Sequence, residues 1–202
     1  GVYNAMNKGI DMSTGDYILF LNSGDYFYNN KSLLNVSDKM DGTDLIAFNI
    51  NLYSSDFNLI HKHPDELTSY FLFDETLAHQ SVLIKRSLFE EFGLYDESLK
   101  IVSDWKFFLK VAFSGCTYKN YNHILTKFEF GGISTTLEGV KTRIKERDKV
   151  LKENYPFFYN DYKLHKKNED ILKMNRFKML VEIEKSKYGR KFISLVLRLY
   201  LF

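Results

Sequence analysis

The chain has 202 residues, 45 % hydrophobic and 16 % aromatic, which suffices for a buried core and excludes a disordered or low-complexity protein. Its single cysteine, Cys116, excludes an internal disulfide, and no Cys/His group has zinc-ligand spacing. The net charge of +2 hides an asymmetry: residues 1–140 carry 11 basic and 18 acidic side chains, whereas residues 141–202 carry 17 and 8, so the basic end suits an anionic partner.

Residues 2–12 place Val2, Met6, Gly9 and Ile10 near one helical face, with Gly15 as the stop. The chain opens at Gly1, inside this predicted helix, and so reads as a piece of a longer protein. Residues 17–21 are a short continuous apolar run, the pattern of a strand buried on both faces of a mainly parallel sheet. Asn22, Ser23, Gly24 and Asp25 follow as a polar turn at that strand's carboxyl end, where ligands bind in open α/β sheets. An ionised Asp25 there suits a hard divalent cation; an ordinary turn is the competing reading.

Residues 32–40 read as a short helix, 44–53 as a strand and 54–64 as a polar loop. Another strand is expected over 80–84, and Ser87 is expected to cap a helix over 88–92 that Gly93 ends. Ser103 is expected to cap a further helix, with Trp105, Phe108, Leu109 and Ala112 at helical spacing. Two short strands fit into 118–130, before a Gly131-Gly132 break.

From residue 137 the pattern is helical and basic, with Pro156 interrupting it. The eleven residues 192–202 are apolar apart from Ser194 and Arg198, too short a run to span a bilayer. With Lys185, Lys187, Arg190 and Lys191 before it, this run reads either as an interfacial helix on an anionic membrane or as a helix packed on its own domain. The whole is an α/β chain, a mainly parallel open sheet flanked by helices over 1–136 with a helical C-terminal extension over 137–202.

Six motifs together carry a resemblance: Gly1-Val-Tyr-Asn-Ala-Met-Asn-Lys-Gly-Ile10, Thr14-Gly-Asp-Tyr-Ile-Leu-Phe-Leu-Asn-Ser-Gly-Asp25, His79-Gln80, Gly93-Leu-Tyr-Asp-Glu97, Ser103-Asp-Trp105 and Gly131-Gly-Ile-Ser134. In this order the chain resembles the family 2 glycosyltransferases of bacterial surface-polysaccharide synthesis, over roughly residues 1–135. The resemblance implies a GT-A, Rossmann-like nucleotide-sugar fold whose base- and ribose-gripping units would precede Gly1, so that this stretch alone is expected to be inactive.

It implies transfer of a sugar, with inversion, from a nucleotide-sugar donor to a glycan or lipid-linked acceptor. Asp104 would be the catalytic base, and Asp25 would hold Mg²⁺ or Mn²⁺. Asn7, Lys8, Asn22, Ser23, His79, Gln80, Trp105, Gly131 and Gly132 would line the substrate site. Asn22 and Gly24 stand where the family usually has carboxylates, which weakens the metal site. The implied place is cytoplasmic, peripheral on the inner membrane face. A non-catalytic relative that binds glycan or a partner protein is the alternative, and a nucleic-acid role ranks below both because no aromatic-and-basic pattern accompanies the charge.

Overall fold

The computed structural model describes residues 1–132 and 135–201. Helix α1 (Val2–Met12) buries Tyr3, Met6, Asn7 and Ile10 at three- and four-residue intervals on one face, whereas Val2 and Gly9, expected on that face, are exposed. It stops at Ser13, before Gly15, where the backbone turns extended and the Ser13 hydroxyl donates to the Ile10 carbonyl.

The sheet order is β1 (Tyr17–Ile18), β5 (Val82–Lys85), β3 (Leu45–Tyr53), β6 (Tyr118–Glu129), β2 (Asp25–Phe27), with β4 (Asn58–His61) also on β3. Among the described residues only β3 and β6 run parallel; the other pairings are antiparallel, so the sheet is mixed rather than mainly parallel. Periodicity could not show this, because strand direction is set by pairing between distant segments.

Three local expectations are corrected. The run 17–21 pairs only at Tyr17 and Ile18, on the sheet edge, with Phe20 turned into the core and Leu21 exposed. The polar loop 54–64 contains β4, which closes a hairpin on β3 although Leu59 and Ile60 are exposed. Residues 118–129 form one strand, whose pairing with β3 jumps from Phe48↔Tyr121 to Asn49↔Ile124. Asn122 sits in that irregularity and accepts a 2.8 Å hydrogen bond from the buried Asn49 amide.

Val36, Ile46, Phe48, Leu83 and Leu125 form a core cluster, covered by Tyr17, Leu19 and Tyr121. Helix α2 (Ser69–Asp74) lies between β4 and β5 along the chain, in a stretch where no element was expected. An aromatic cluster joins α1, α3 (Ser87–Phe92) and α4 (Ser103–Phe113): Phe89 stacks on Phe107 at 4.4 Å, and Tyr95 contacts Tyr3, Phe20 and Phe107 at 5.5–5.6 Å. Gly93 ends α3 with φ of +84°, a conformation that L side chains rarely adopt. Neither Ser87 nor Ser103 caps its helix; both lie inside the first turn, after Arg86 and Val102. Residues 34–39, expected in a helix, form a 3₁₀ turn.

The chain divides into two compact units, 1–150 and 151–202. Helix α5 (Leu137–Asn154) begins where the helical region was expected to begin, yet through Val150 it belongs with the sheet. In the second unit α6 (Pro156–Lys173) starts on Pro156, a residue suited to a first helical turn, and α7 (Asn175–Glu184) and α8 (Lys187–Leu201) follow. Among the described residues no helix is long and apolar enough to cross a membrane.

Candidate active site

The turn between β1 and β2 folds back on itself. The Asn22 amide donates to Asp25 Oδ2 at 2.8 Å, and the Asp25 amide returns a bond to the Asn22 carbonyl at 2.9 Å. Gly24, at φ of +94°, permits the reversal. Asp25 is half-buried. Burial pushes its carboxyl up, and this outweighs the hydrogen bonds from the Asn22 amide and the Gln80 side chain, which favour the ionised form.

A 3₁₀ turn (His79–Ser81) leads into β5 and presents His79 between two partners. Its Nδ1 lies 3.0 Å from Asp104 Oδ2, and its Nε2 lies 3.0 Å from the Asn22 carboxamide nitrogen. An ionised carboxylate only accepts and an amide NH₂ only donates, so this arrangement suits a neutral ring with its proton on Nδ1. The turn itself is pinned from below. Buried His63 receives the Ala78 amide on Nε2 at 2.9 Å and lies 2.7 Å from the Phe48 carbonyl through Nδ1.

Asp104, the second residue of α4, is buried. The Tyr3 hydroxyl stands 2.9 Å from its Oδ1 and 2.6 Å from the Ile101 carbonyl, sharing one proton between them. Burial alone would push this carboxyl up, but the hydrogen bonds from His79 and Tyr3 hold it below the ordinary carboxylate value. The same surroundings push the Tyr3 phenol far up, so it remains a donor.

The start of α4 is held by α5. Glu146 accepts the Lys100 amide on Oε1 at 2.7 Å, and the Ile101 and Val102 amides on Oε2 at 3.0 and 3.3 Å. Next to it, Arg147 donates to the Asp74 and Glu75 carbonyls and lies 4.9 Å over the Trp105 ring. Trp105 is fully buried, with its indole NH on the Leu72 carbonyl at 2.5 Å. It is therefore a core residue in this structure and presents no face for stacking on a sugar.

Asn7 is likewise committed to the fold. Its carboxamide bonds the Tyr95 backbone in both directions at 2.9 Å and also reaches Glu97, which Asn4 holds from the other side. Such full use explains the Asn in the α1 motif without a diphosphate contact. Lys8 and Ser23 are exposed, Gln80 is buried beside Asp25, and Gly131 and Gly132 form an exposed turn. Ile133 and Ser134, the rest of the expected donor-closing loop, lie outside the described residues. Tyr3, Glu97, Glu146 and Arg147 are the site's supports that sequence reasoning missed.

Three separate motifs, at residues 22–25, 79–80 and 103–105, thus converge on one hydrogen-bonded chain at one end of the sheet. Residues 1–99 also match the sequence model of "Glycosyl transferase family 2". This stretch belongs to that family. A "PGL/p-HBAD biosynthesis glycosyltransferase" of Mycobacterium bovis is 30 % identical over 143 residues, covering 68 % of this chain and 54 % of the relative. An uncharacterized glycosyltransferase of Rickettsia typhi is 32 % identical over 127 residues, covering 55 % of this chain and 40 % of the relative.

The chain thus spans about half the length of the curated relatives it matches. The crystal structure of S. aureus TarS is similar over 76 % of this chain and 30 % of its own, with a TM-score of 0.49 and 16 % identity. The family segment contains Asn22, Asp25 and His79; Asp104 lies just beyond its last residue.

Proposed function

We propose that the enzyme carrying this chain transfers a sugar from a nucleotide-sugar donor to a hydroxyl of a glycan or lipid-linked acceptor, with inversion. The observation that supports this best is the chain Asp25–Asn22–His79–Asp104–Tyr3, which ties the strand-end turn to a buried carboxylate. Within glycosyl transfer the parts divide naturally. The acceptor oxygen attacks the anomeric carbon, the bond from that carbon to the diphosphate oxygen breaks, and Asp104 takes the acceptor's proton.

His79 and Tyr3 keep the carboxylate ionised and fixed in direction before the acceptor arrives. Each Asp104 oxygen still has a lone pair for the incoming proton. Because its pKa is held down, Asp104 accepts the proton as the new bond forms rather than stripping a free hydroxyl beforehand.

The donor set at the turn fits a hard cation only in company with the donor's own phosphates. It offers the Asp25 carboxylate and the Asn22 carboxamide oxygen, and among the described residues no metal-ligand trio includes Asp25. Mg²⁺ or Mn²⁺ held there would neutralise charge on the leaving diphosphate. The half-buried Asp25, with its raised pKa, would ionise more readily beside such a cation.

The test is the enzyme carrying this chain, incubated with a panel of nucleotide sugars, acceptor extract and Mg²⁺ or Mn²⁺, followed by nucleoside diphosphate release. Acceptor-dependent release with one donor class is expected. Donor-independent silence, with glycan binding retained, would favour a non-catalytic relative.

A further inference from the structure

The second unit ends in α8 (Lys187–Leu201), which carries two parallel stripes. Tyr188, Phe192, Leu195 and Leu199 lie at four-, three- and four-residue steps and are 84, 63, 58 and 76 % exposed. Ile193, on another face, is buried, so the helix is anchored from that side while its apolar stripe stays open. One residue back along the chain, Lys187, Lys191 and Arg198 follow the same spacing and flank the stripe. Residues 185–201 contain no acidic side chain. Among the described residues no ion pair engages these three cations.

We propose that α8 lies in the interface of an anionic lipid bilayer, with Tyr188, Phe192, Leu195 and Leu199 among the acyl chains and Lys187, Lys191 and Arg198 on the headgroups. The charge decides among the occupants. A second copy of the chain would bring another set of cations against the first, at a cost from like-charge contact. A nucleic acid would use the cations but leave the apolar stripe in water. An anionic bilayer matches both stripes at once. Its cations, spread from Lys187 to Arg198 alongside the apolar stripe, suit a helix lying flat in the interface. This inference is independent of the sugar-transfer reading.

Co-sedimentation of the full chain with phosphatidylcholine vesicles, with and without phosphatidylglycerol, tests it. Binding is expected to be roughly 10²-fold tighter to the anionic vesicles, given three cations near the surface, and to fall as salt rises. Phe192→Glu with Leu199→Glu should abolish binding at unchanged helix content by circular dichroism. Lys191→Gln with Arg198→Gln should leave weaker binding with a shallower salt dependence, a change that loss of folding would not produce. Equal binding to both vesicle types, no binding, or binding indifferent to Phe192→Glu/Leu199→Glu would overturn the proposal. So would a dimer, seen by sedimentation, that the same double variant dissolves in the absence of vesicle binding.

Discussion

Asn22 and His79, 57 residues apart in sequence, meet with the carboxamide nitrogen 3.0 Å from the ring Nε2. The other ring nitrogen faces the Asp104 carboxylate, so His79 is held between a donor and an acceptor. Nitrogen-15 long-range correlation spectra should therefore show His79 as a neutral ring protonated on Nδ1. Asn22→Ala should leave the proton on Nδ1, because the Asp104 carboxylate still accepts it, whereas Asp104→Ala should release the preference. A ring protonated on both nitrogens at neutral pH would mean that the Asn22 amide is turned the other way and that His79 forms an ion pair with Asp104.

Glu146 should be a strong point of the fold. Its carboxylate accepts three backbone amides ahead of α4, and amides at such a position would otherwise have to find water. Hydrogen bonds to a charged group contribute about 1.5–3 kcal/mol net, so Glu146→Ala should lower unfolding free energy by ~2 kcal/mol in urea titrations. Glu146→Gln, which keeps an acceptor, should cost less than half of that. A loss below about 0.5 kcal/mol for Glu146→Ala would show that the amides are served elsewhere.

Acid should loosen the floor beneath His79. Burial pushes the His63 imidazole down to about 4 from an ordinary 6.5, against the Phe48 carbonyl bond that favours the charged ring. A depressed histidine means that the unfolded chain takes up the proton first. Stability is then full above pH 6.5, declines as pH falls towards 4, and levels off below it. Across that window the loss should approach ~3 kcal/mol, from the difference in proton affinity. His63→Gln should flatten the slope between pH 6.5 and 4; an unchanged slope would assign it to other groups.

Asp25→Asn should weaken metal support of transfer without unfolding the turn, because the Asn side chain can still accept the Asn22 amide. The enzyme carrying this chain should lose activity in EDTA and regain it with Mn²⁺, and the variant should need a much higher Mn²⁺ concentration. Full transfer in EDTA would remove the cation from the account.

Helices and turns were largely legible in the sequence, and pairings between distant segments were not. Met6 and Ile10 lie on the buried face of the first helix as expected, although Tyr3 and Asn7 replace Val2 and Gly9 there, and the Asn22 to Asp25 turn is visible as a cluster of turn formers. Strand β4 escaped because an edge strand needs no alternation, and its Leu59 and Ile60 stay exposed. The parallel reading of the sheet failed because a buried strand looks equally apolar whichever way its neighbour runs.

In the site, residue type pointed to Asp25 and the family resemblance to His79 and Asp104, but neither pointed to what holds them. Tyr3 reads as an ordinary helix-face aromatic until its hydroxyl is seen beside Asp104, 101 residues away. Asn7 and Trp105 show the reverse error. Both stand in motifs that resemble a substrate site, yet their polar atoms are spent on Tyr95, Glu97 and Leu72.

The central claim is that Asp104 takes the acceptor's proton while His79 and Tyr3 hold it in place. Turnover of sugar transfer by the enzyme carrying this chain, compared among Asp104→Asn, His79→Gln and the double variant across pH, tests it most directly. The account predicts a loss of roughly 10²-fold or more for Asp104→Asn with donor binding kept. It predicts a smaller loss for His79→Gln with the acid limb of the pH profile moved to higher pH, since removing His79 frees the Asp104 pKa to rise. The double variant should be no worse than Asp104→Asn alone. Near-normal turnover by Asp104→Asn, or equal and additive losses from the two single variants, would contradict it.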